Sequence, residues 1–220
     1  PRSDRRQQRS VAALGPRSLT AAAPAAGTTS EIPLFPLNTV LFPGGPLSLR
    51  IFETRYTDMV RRCMREQSAF GVVLIRAGAE VGEVANTAEI GTTARIVDFY
   101  QLPDRLLGIT CAGEKKFRVL ARRRQPDGLN VGTVEWLPEE PKLEVPGEHA
   151  HLAALLRKVL PELGEVYQQV PKHFDDAAWV GSRLVEILPI SLGDKQACLE
   201  MQDPLQRLAR IGPLIRRDEG

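Results

Sequence analysis

Between Glu31 and about Trp136, proline and glycine interrupt every apolar stretch before it grows long. The segment opens EIPLFPLNTVLFPGGPLSLRIF, in which Pro36, Pro43 and Pro46 fix φ and remove backbone donors at strand ends. Gly44 and Gly45 permit a tight reversal between strands. Leu47, Leu49 and Ile51 then alternate with Ser48 and Arg50, the period of a half-buried strand. Phe70 to Ile75 is a continuous apolar run, suited to a strand covered on both faces. Thr92 to Tyr100, Leu106 to Cys111, Phe117 to Ala121 and Val131 to Trp136 supply further strands, with breaks at Pro103-Asp104, Gly113 and Pro126-Asp127-Gly128. Roughly six or seven short strands in this span predict a closed or nearly closed antiparallel barrel.

One helix interrupts the strands. Thr54 is placed to cap it, and Tyr56, Met59, Val60 and Cys63 recur at helical spacing on one side. Arg61, Arg62, Arg65 and Glu66 lie off that stripe and read as a solvated face. Beyond a Pro- and Glu-rich linker from Pro138 to Gly147 the pattern becomes helical. His151 to Leu160 is rich in Leu and Ala, and Asp175 is placed to cap a helix carrying Val180, Leu184, Ile187 and Leu188. Ser191 and Asp194 fit a capping box. Asp203-Pro204 opens a last helix with Leu205, Leu208, Ile211 and Ile215 inward. The expected class is α+β: a barrel domain over 31–140, then a small helical bundle over 147–217.

At 220 residues with 43% hydrophobic content the chain can bury a substantial core. Aromatics are only 5%, so that core rests on Leu, Val, Ile and Ala, with Phe35, Phe42 and Phe52 as its large anchors. Residues 1–30 hold five Arg against one acid, which leaves a net of −2 on the remainder of a chain whose total is +2. They read as a disordered extension or an over-called start, with an Arg-rich transit peptide as the alternative. No apolar run reaches the roughly 18 residues that span a bilayer. Three separated cysteines, Cys63, Cys111 and Cys198, form neither a disulfide framework nor a zinc ladder, so a reducing, cytoplasmic setting is expected.

The string from Glu31 to Tyr56, EIPLFPLNTVLFPGGPLSLRIFETRY, resembles the signature of the Lon substrate-binding domain family. The resemblance continues through Phe70 to Ile75, Glu80-Val81-Gly82, Ile90 to Ile96 and Gly113 to Val119. It ends with Arg183 to Pro189, Lys195-Gln196 and Leu199-Glu200. Its signature positions include Pro36, Pro43, Gly44, Phe52, Glu53, Arg55 and Gly91, and Glu53 and Arg55 are expected to form ion pairs at the strand-to-helix corner. Two positions depart from it: Asp104-Arg105 stands where the family commonly has Asp-Gly, and Lys116 where an Arg is usual.

The resemblance implies a PUA-like barrel followed by a helical bundle, used to recognise unfolded or degron-bearing polypeptides. The module would stand alone without ATPase or peptidase parts, and delivery of its clients to a separate ATP-dependent protease is a second reading. Binding is expected in a shallow, partly apolar groove between barrel and helices, with Tyr56, Phe99 and Tyr100 as exposed anchors and β-edge pairing as a further contact. Core packing is the competing role for Tyr56.

Chemistry finds little support in the residues. No GxxxxGK phosphate loop and no SxxK pair occur, so neither ATP hydrolysis nor a Ser–Lys dyad is expected. Ser191 belongs to a helix cap rather than a nucleophile elbow. His149 and His151 point to different helix faces, and His173 reads as part of a surface helix start beside Asp175 and Asp176. Neither metal nor cofactor is expected. PUA-like barrels can bind RNA, so Arg122 to Arg124 with Lys115-Lys116 seed an alternative RNA-binding reading. Without interleaved aromatics, a solvated basic strand edge is the expected role for that run.

Overall fold

A computed structural model describes residues 25–77 and 86–215. Most of the N-terminal extension and the Glu80-Val81-Gly82 match lie outside these residues. Among the described residues, seven strands and six α-helices follow in order. They are β1 (Thr29–Leu37), β2 (Pro46–Ile51), α1 (Thr54–Glu66), β3 (Phe70–Ala77), β4 (Asn86–Thr87), β5 (Ile90–Gln101), β6 (Leu107–Arg124) and β7 (Asn130–Trp136), then α2 (Ala150–Val159), α3 (Glu165–Gln168), α4 (Ala177–Ile187), α5 (Leu192–Glu200) and α6 (Pro204–Ile211).

Strands β1, β7, β6, β5 and β3 form a ring, with β2 laid on the first half of β6. All pairings are antiparallel except the one that closes the ring, where Leu34 to Leu37 run parallel to Gly71 to Leu74. That parallel seam requires a crossover between β1 and β3, which β2 and α1 supply. β1 also begins two residues earlier than the hydrophobic pattern suggests, Thr29 and Ser30 pairing with Glu135 and Val134. The Trp136 indole N–H donates to Ser30 Oγ at 2.9 Å.

Gly113 does not end a strand. β6 runs unbroken through it for 18 residues, so the two strands expected on either side are one. The glycine is there because another backbone crosses it: Gly44 N donates to Gly113 O and Gly113 N to Gly45 O, both at 2.8 Å. A Cβ at 113 would sit 2.1 Å from Phe42 O.

Helix α1 buries Tyr56, Met59, Val60 and Cys63, the stripe read from spacing. Its N-cap is Glu53 rather than Thr54, and no side chain caps it. α4 is capped by Asp176, one residue beyond the expected Asp175, with Oδ1 accepting from Ala178 N. Ser191 and Asp194 form the expected box, and Asp203 accepts from Leu205 N and Gln206 N. Each such cap contributes about 1 kcal/mol.

The largest hydrophobic cluster joins the two halves of the chain. It combines Phe42, Leu74 and Ala88 from the strand region with Leu152, Leu156, Val180, Leu184 and Leu208 from the helices. A second cluster fills the space under α1, around Phe35, Met59, Phe70 and Ile109. A third gathers Leu34, Val73, Phe117 and Val134.

Two buried polar knots cross the same junction. Arg183 on α4 donates to Pro43 O at 3.0 Å and to Glu186 Oε1 at 2.6 Å, tying the PGG turn to the bundle. Lys116 on β6 donates to Glu140 Oε1 at 2.7 Å and to the carbonyls of Leu199 and Met201. Arg207 on α6 grips the same carboxylate with both terminal nitrogens, at 2.8 and 2.5 Å. Lys116 therefore lies buried among acceptors, not on a solvated edge. In the Lys116–Glu140–Arg207 knot the hydrogen bonds offset charges whose desolvation alone would cost several kcal/mol each, whereas Arg183 keeps Nε and Nη1 buried without a hydrogen-bond partner.

Candidate functional site

The corner that ends β2 is closely held. Glu53 Oε2 pairs with Arg55 Nη2 at 2.8 Å, and Arg55 Nη1 donates to Gly128 O at 2.8 Å across the β6–β7 turn. The Arg55 guanidinium lies 4.7 Å from the Tyr56 ring centre, and that ring stacks on Phe35 with 3.8 Å between centroids. Tyr56 is 3% exposed, so its ring forms a floor rather than a free anchor. Its neighbour Phe52 is 63% exposed, against the expectation that it anchors the core. Strand alternation explains the difference: Ile51 takes the inward position, and Phe52 follows it out of the strand.

Phe52 stands over a groove of about 370 Å³ between β2 and the end of β1, lined also by Phe35, Leu37, Leu47, Leu49 and Tyr56. A second groove of about 410 Å³ includes Ser48, Leu49, Arg50, Tyr100, Pro103 and Asp104. The two share Ser48, Leu49 and Arg50, so they flank β2. Registers align Leu49, Ile109 and Phe99 on one face of the ribbon and Arg50, Gly108 and Tyr100 on the other. The Tyr100 ring lies over Gly108, where a Cβ would come within 2.4 Å of it. Arg50 forms an ion pair with Asp104.

Of the three expected anchors, Tyr100 lines the second groove, Tyr56 floors the first, and Phe99 stands exposed on the ribbon's β5 edge. None lines the cleft between barrel and helices. That cleft exists, with a volume of about 270 Å³, and is lined by Pro43, Lys116, Pro138, Glu140, Trp179 and Ser182, among others. Of its polar lining, Lys116, Glu140 and Ser182 are engaged in the knot with Arg207. Pro36 sits in the parallel seam opposite Val73, Gly44 has φ +71°, and a Cβ at Gly91 would meet Val72 O at 2.3 Å.

The basic run is also occupied. Arg122 donates to Ala88 O at 2.9 Å, and Arg123 makes a two-pronged contact with Glu31 at 2.9 and 2.8 Å. Among the described residues no cluster of three His, Cys, Asp or Glu side chains could hold a metal ion. No described helix is long and apolar enough to cross a membrane.

Arg183 and Glu186 stand at i,i+3 on α4, a spacing the sequence does show. The reach of Arg183 to Pro43 O and the meeting of Lys116, Glu140 and Arg207 join residues far apart in the chain, and spacing could not find them. The signal closest to a clue was Lys116 beside Phe117 within a strand, two large side chains facing opposite sides of a sheet covered on both.

Comparison with known proteins agrees with this architecture. A crystal structure of a Lon N-terminal domain protein from Xanthomonas campestris superposes with a TM-score of 0.71 at 38% identity, covering 85% of this chain and 99% of that one. The N-terminal domain of the Mycobacterium avium complex Lon protease shares the fold, with a TM-score of 0.58 at 16% identity, over 83% of this chain and 96% of that one. Lon protease 2 of Myxococcus xanthus is 26% identical over 227 residues, 98% of this chain but only 27% of its own length. The likeness is thus to a binding portion and not to the ATPase or peptidase portions. Residues 31–217 match the ATP-dependent protease La (LON) substrate-binding domain, and the chain belongs to that family.

Proposed function

We propose that this chain recognises unfolded or degron-bearing polypeptides without cleaving them, and that it does so in the groove beside β2. The observation that carries this reading is Phe52, a large ring left in water at the mouth of a groove whose aromatic floor is already packed. Such a ring gains by burial against an incoming apolar side chain, about 1.5–3 kcal/mol for a full burial. The rigid corner of Glu53, Arg55 and Tyr56 lowers the ordering cost of that contact. We further propose that the bound chain is delivered to an ATP-dependent protease, a role supported by the substrate-binding description of the family. Three free, buried cysteines suit a reducing, cytoplasmic setting.

A binding titration of the full chain against a fluorescent, permanently unfolded polypeptide and a single-stranded RNA, each at two salt concentrations, tests the reading. The expected result is binding to the unfolded chain that changes little with salt and weakens in Phe52→Ala. Binding to RNA alone, falling steeply as salt rises, would overturn it.

A further inference from the structure

Resting on that reading, we infer that the bound polypeptide lies as an added strand on the free edge of β2, its side chains falling alternately into the two grooves. Among the described residues β2 pairs with β6 alone. That ladder runs from Pro46 opposite Ala112 to Ile51 opposite Leu107 without a shift in register. The ribbon's opposite edge, the end of β5, is different. There the register slips between Ile96 and Asp98, leaving Val97 48% exposed. A bulge of this kind blunts an edge against pairing. The β2 edge carries no such bulge, but Pro46 at its start has no N–H to offer and α3 lies close to the strand, so pairing uses the regular part of the ladder beyond them.

The residues of β2 alternate in burial, with Leu47 and Leu49 half-buried, Ile51 buried, and Ser48 and Arg50 exposed. An added strand continues that alternation. Every second side chain enters the groove of Phe35, Leu37 and Phe52, and the intervening ones meet Arg50, Tyr100 and Asp104. Charge narrows the ligand further. Arg50 is paired with Asp104 and Glu53 with Arg55, so neither groove presents an excess charge from these side chains. The ligand class is therefore an extended, uncharged segment with a large apolar residue at every second position.

Length argues against a second copy of the chain as occupant. Six residues of strand span only about 20 Å. A stable protein–protein interface buries roughly 1,200 Å² or more, which an edge this short does not supply.

The test uses a labelled octapeptide alternating Phe and Thr between terminal lysines, with two isomers N-methylated at the odd or at the even residues. Strand addition places the amides of only one set against β2. One isomer is then expected to bind about tenfold or more weakly than the parent, and the other within about twofold. Equal effects of the two patterns overturn strand addition while leaving polypeptide recognition standing. Binding of the unfolded polypeptide but not of the octapeptide also overturns it. Failure of both ligands removes the functional reading together with this one. A dimer in sedimentation that the octapeptide cannot dissolve would assign the edge to a second copy and overturn the proposal.

Discussion

Gly45 faces Glu186 so closely that a Cβ on the glycine would lie 2.2 Å from the carboxylate Oε1 and 2.8 Å from Arg183 Nη2. The reversal between β1 and β2 thus needs glycine for lack of space, since the carboxylate it meets is held by Arg183 at 2.6 Å and cannot yield freely. Gly45→Ala is expected to lower stability by about 1–3 kcal/mol, the usual cost of overpacking. Urea unfolding should show a lower midpoint at unchanged slope. Gly147→Ala, with nothing within 4 Å of its new methyl, serves as the neutral control.

Glu140 holds Lys116 and Arg207 at once. Burial pushes its carboxyl up, but hydrogen bonds and charge from Arg207 and Lys116 together outweigh that, leaving it below its ordinary 4.5. A carboxyl depressed on folding contributes stability that is complete above its unfolded value and lost as pH falls through the folded one. Glu140→Gln is expected to cost about 3–5 kcal/mol near neutrality, because two cations remain buried beside a neutral amide. The loss should shrink as the solution is acidified below 4.5, which unfolding midpoints measured across pH would reveal.

Local periodicity revealed most of the elements but none of these joints. Tyr56, Met59, Val60 and Cys63 could be assigned to the inner face of α1 because a helix repeats within its own sequence. Ser191, Asp194 and Asp203 could be assigned to caps for the same reason. Gly113 misled, since a glycine that admits a crossing backbone looks in sequence like one that makes a turn. Phe52 misled because size suggests burial, whereas its facing is set by the parity of Ile51. The grooves beside β2 depend on which strand β2 joins and which edge it leaves open. That is a fact of topology, carried by residues about sixty positions away in β6.

Phe52 and Tyr56 should separate cleanly by mutation. Tyr56→Ala removes a ring stacked at 3.8 Å on Phe35 and is expected to cost about 3–5 kcal/mol of stability. Phe52→Ala removes an exposed ring and should leave the unfolding midpoint nearly unchanged while weakening binding of an unfolded polypeptide. Calorimetry and a binding titration on the same two variants check both halves.

The thiols should be inert in the native protein. Burial raises all three above the ordinary thiol value, and Cys111, with Cys63 nearby, is pushed up to about 12. At pH 8 an aromatic disulfide reagent is expected to react slowly, at a rate set by opening of the fold. In guanidinium all three should react at once. Rapid native reaction of any one would contradict its burial.

Arg105 occupies the turn between β5 and β6 with φ +67°, in the left-handed region that favours glycine. Arg105 N donates to Leu102 O and Leu102 N to Leu106 O, both at 2.9 Å, and Leu106 N donates to the Asp104 carboxylate at 3.2 Å, so none of the bonds that fix the turn involves the side chain of residue 105. Left-handed backbone costs a residue with a Cβ about 1–2 kcal/mol, while glycine adopts it freely but loses more entropy on folding. Arg105→Gly is therefore expected to raise stability by a net amount below about 1 kcal/mol, and Arg105→Val, β-branched at the same φ, to lower it by more than that. Because Asp104 pairs with Arg50 beside the second groove, both variants should be compared in peptide binding as well as in thermal unfolding. A turn that keeps its shape in the glycine variant predicts unchanged affinity at a higher midpoint.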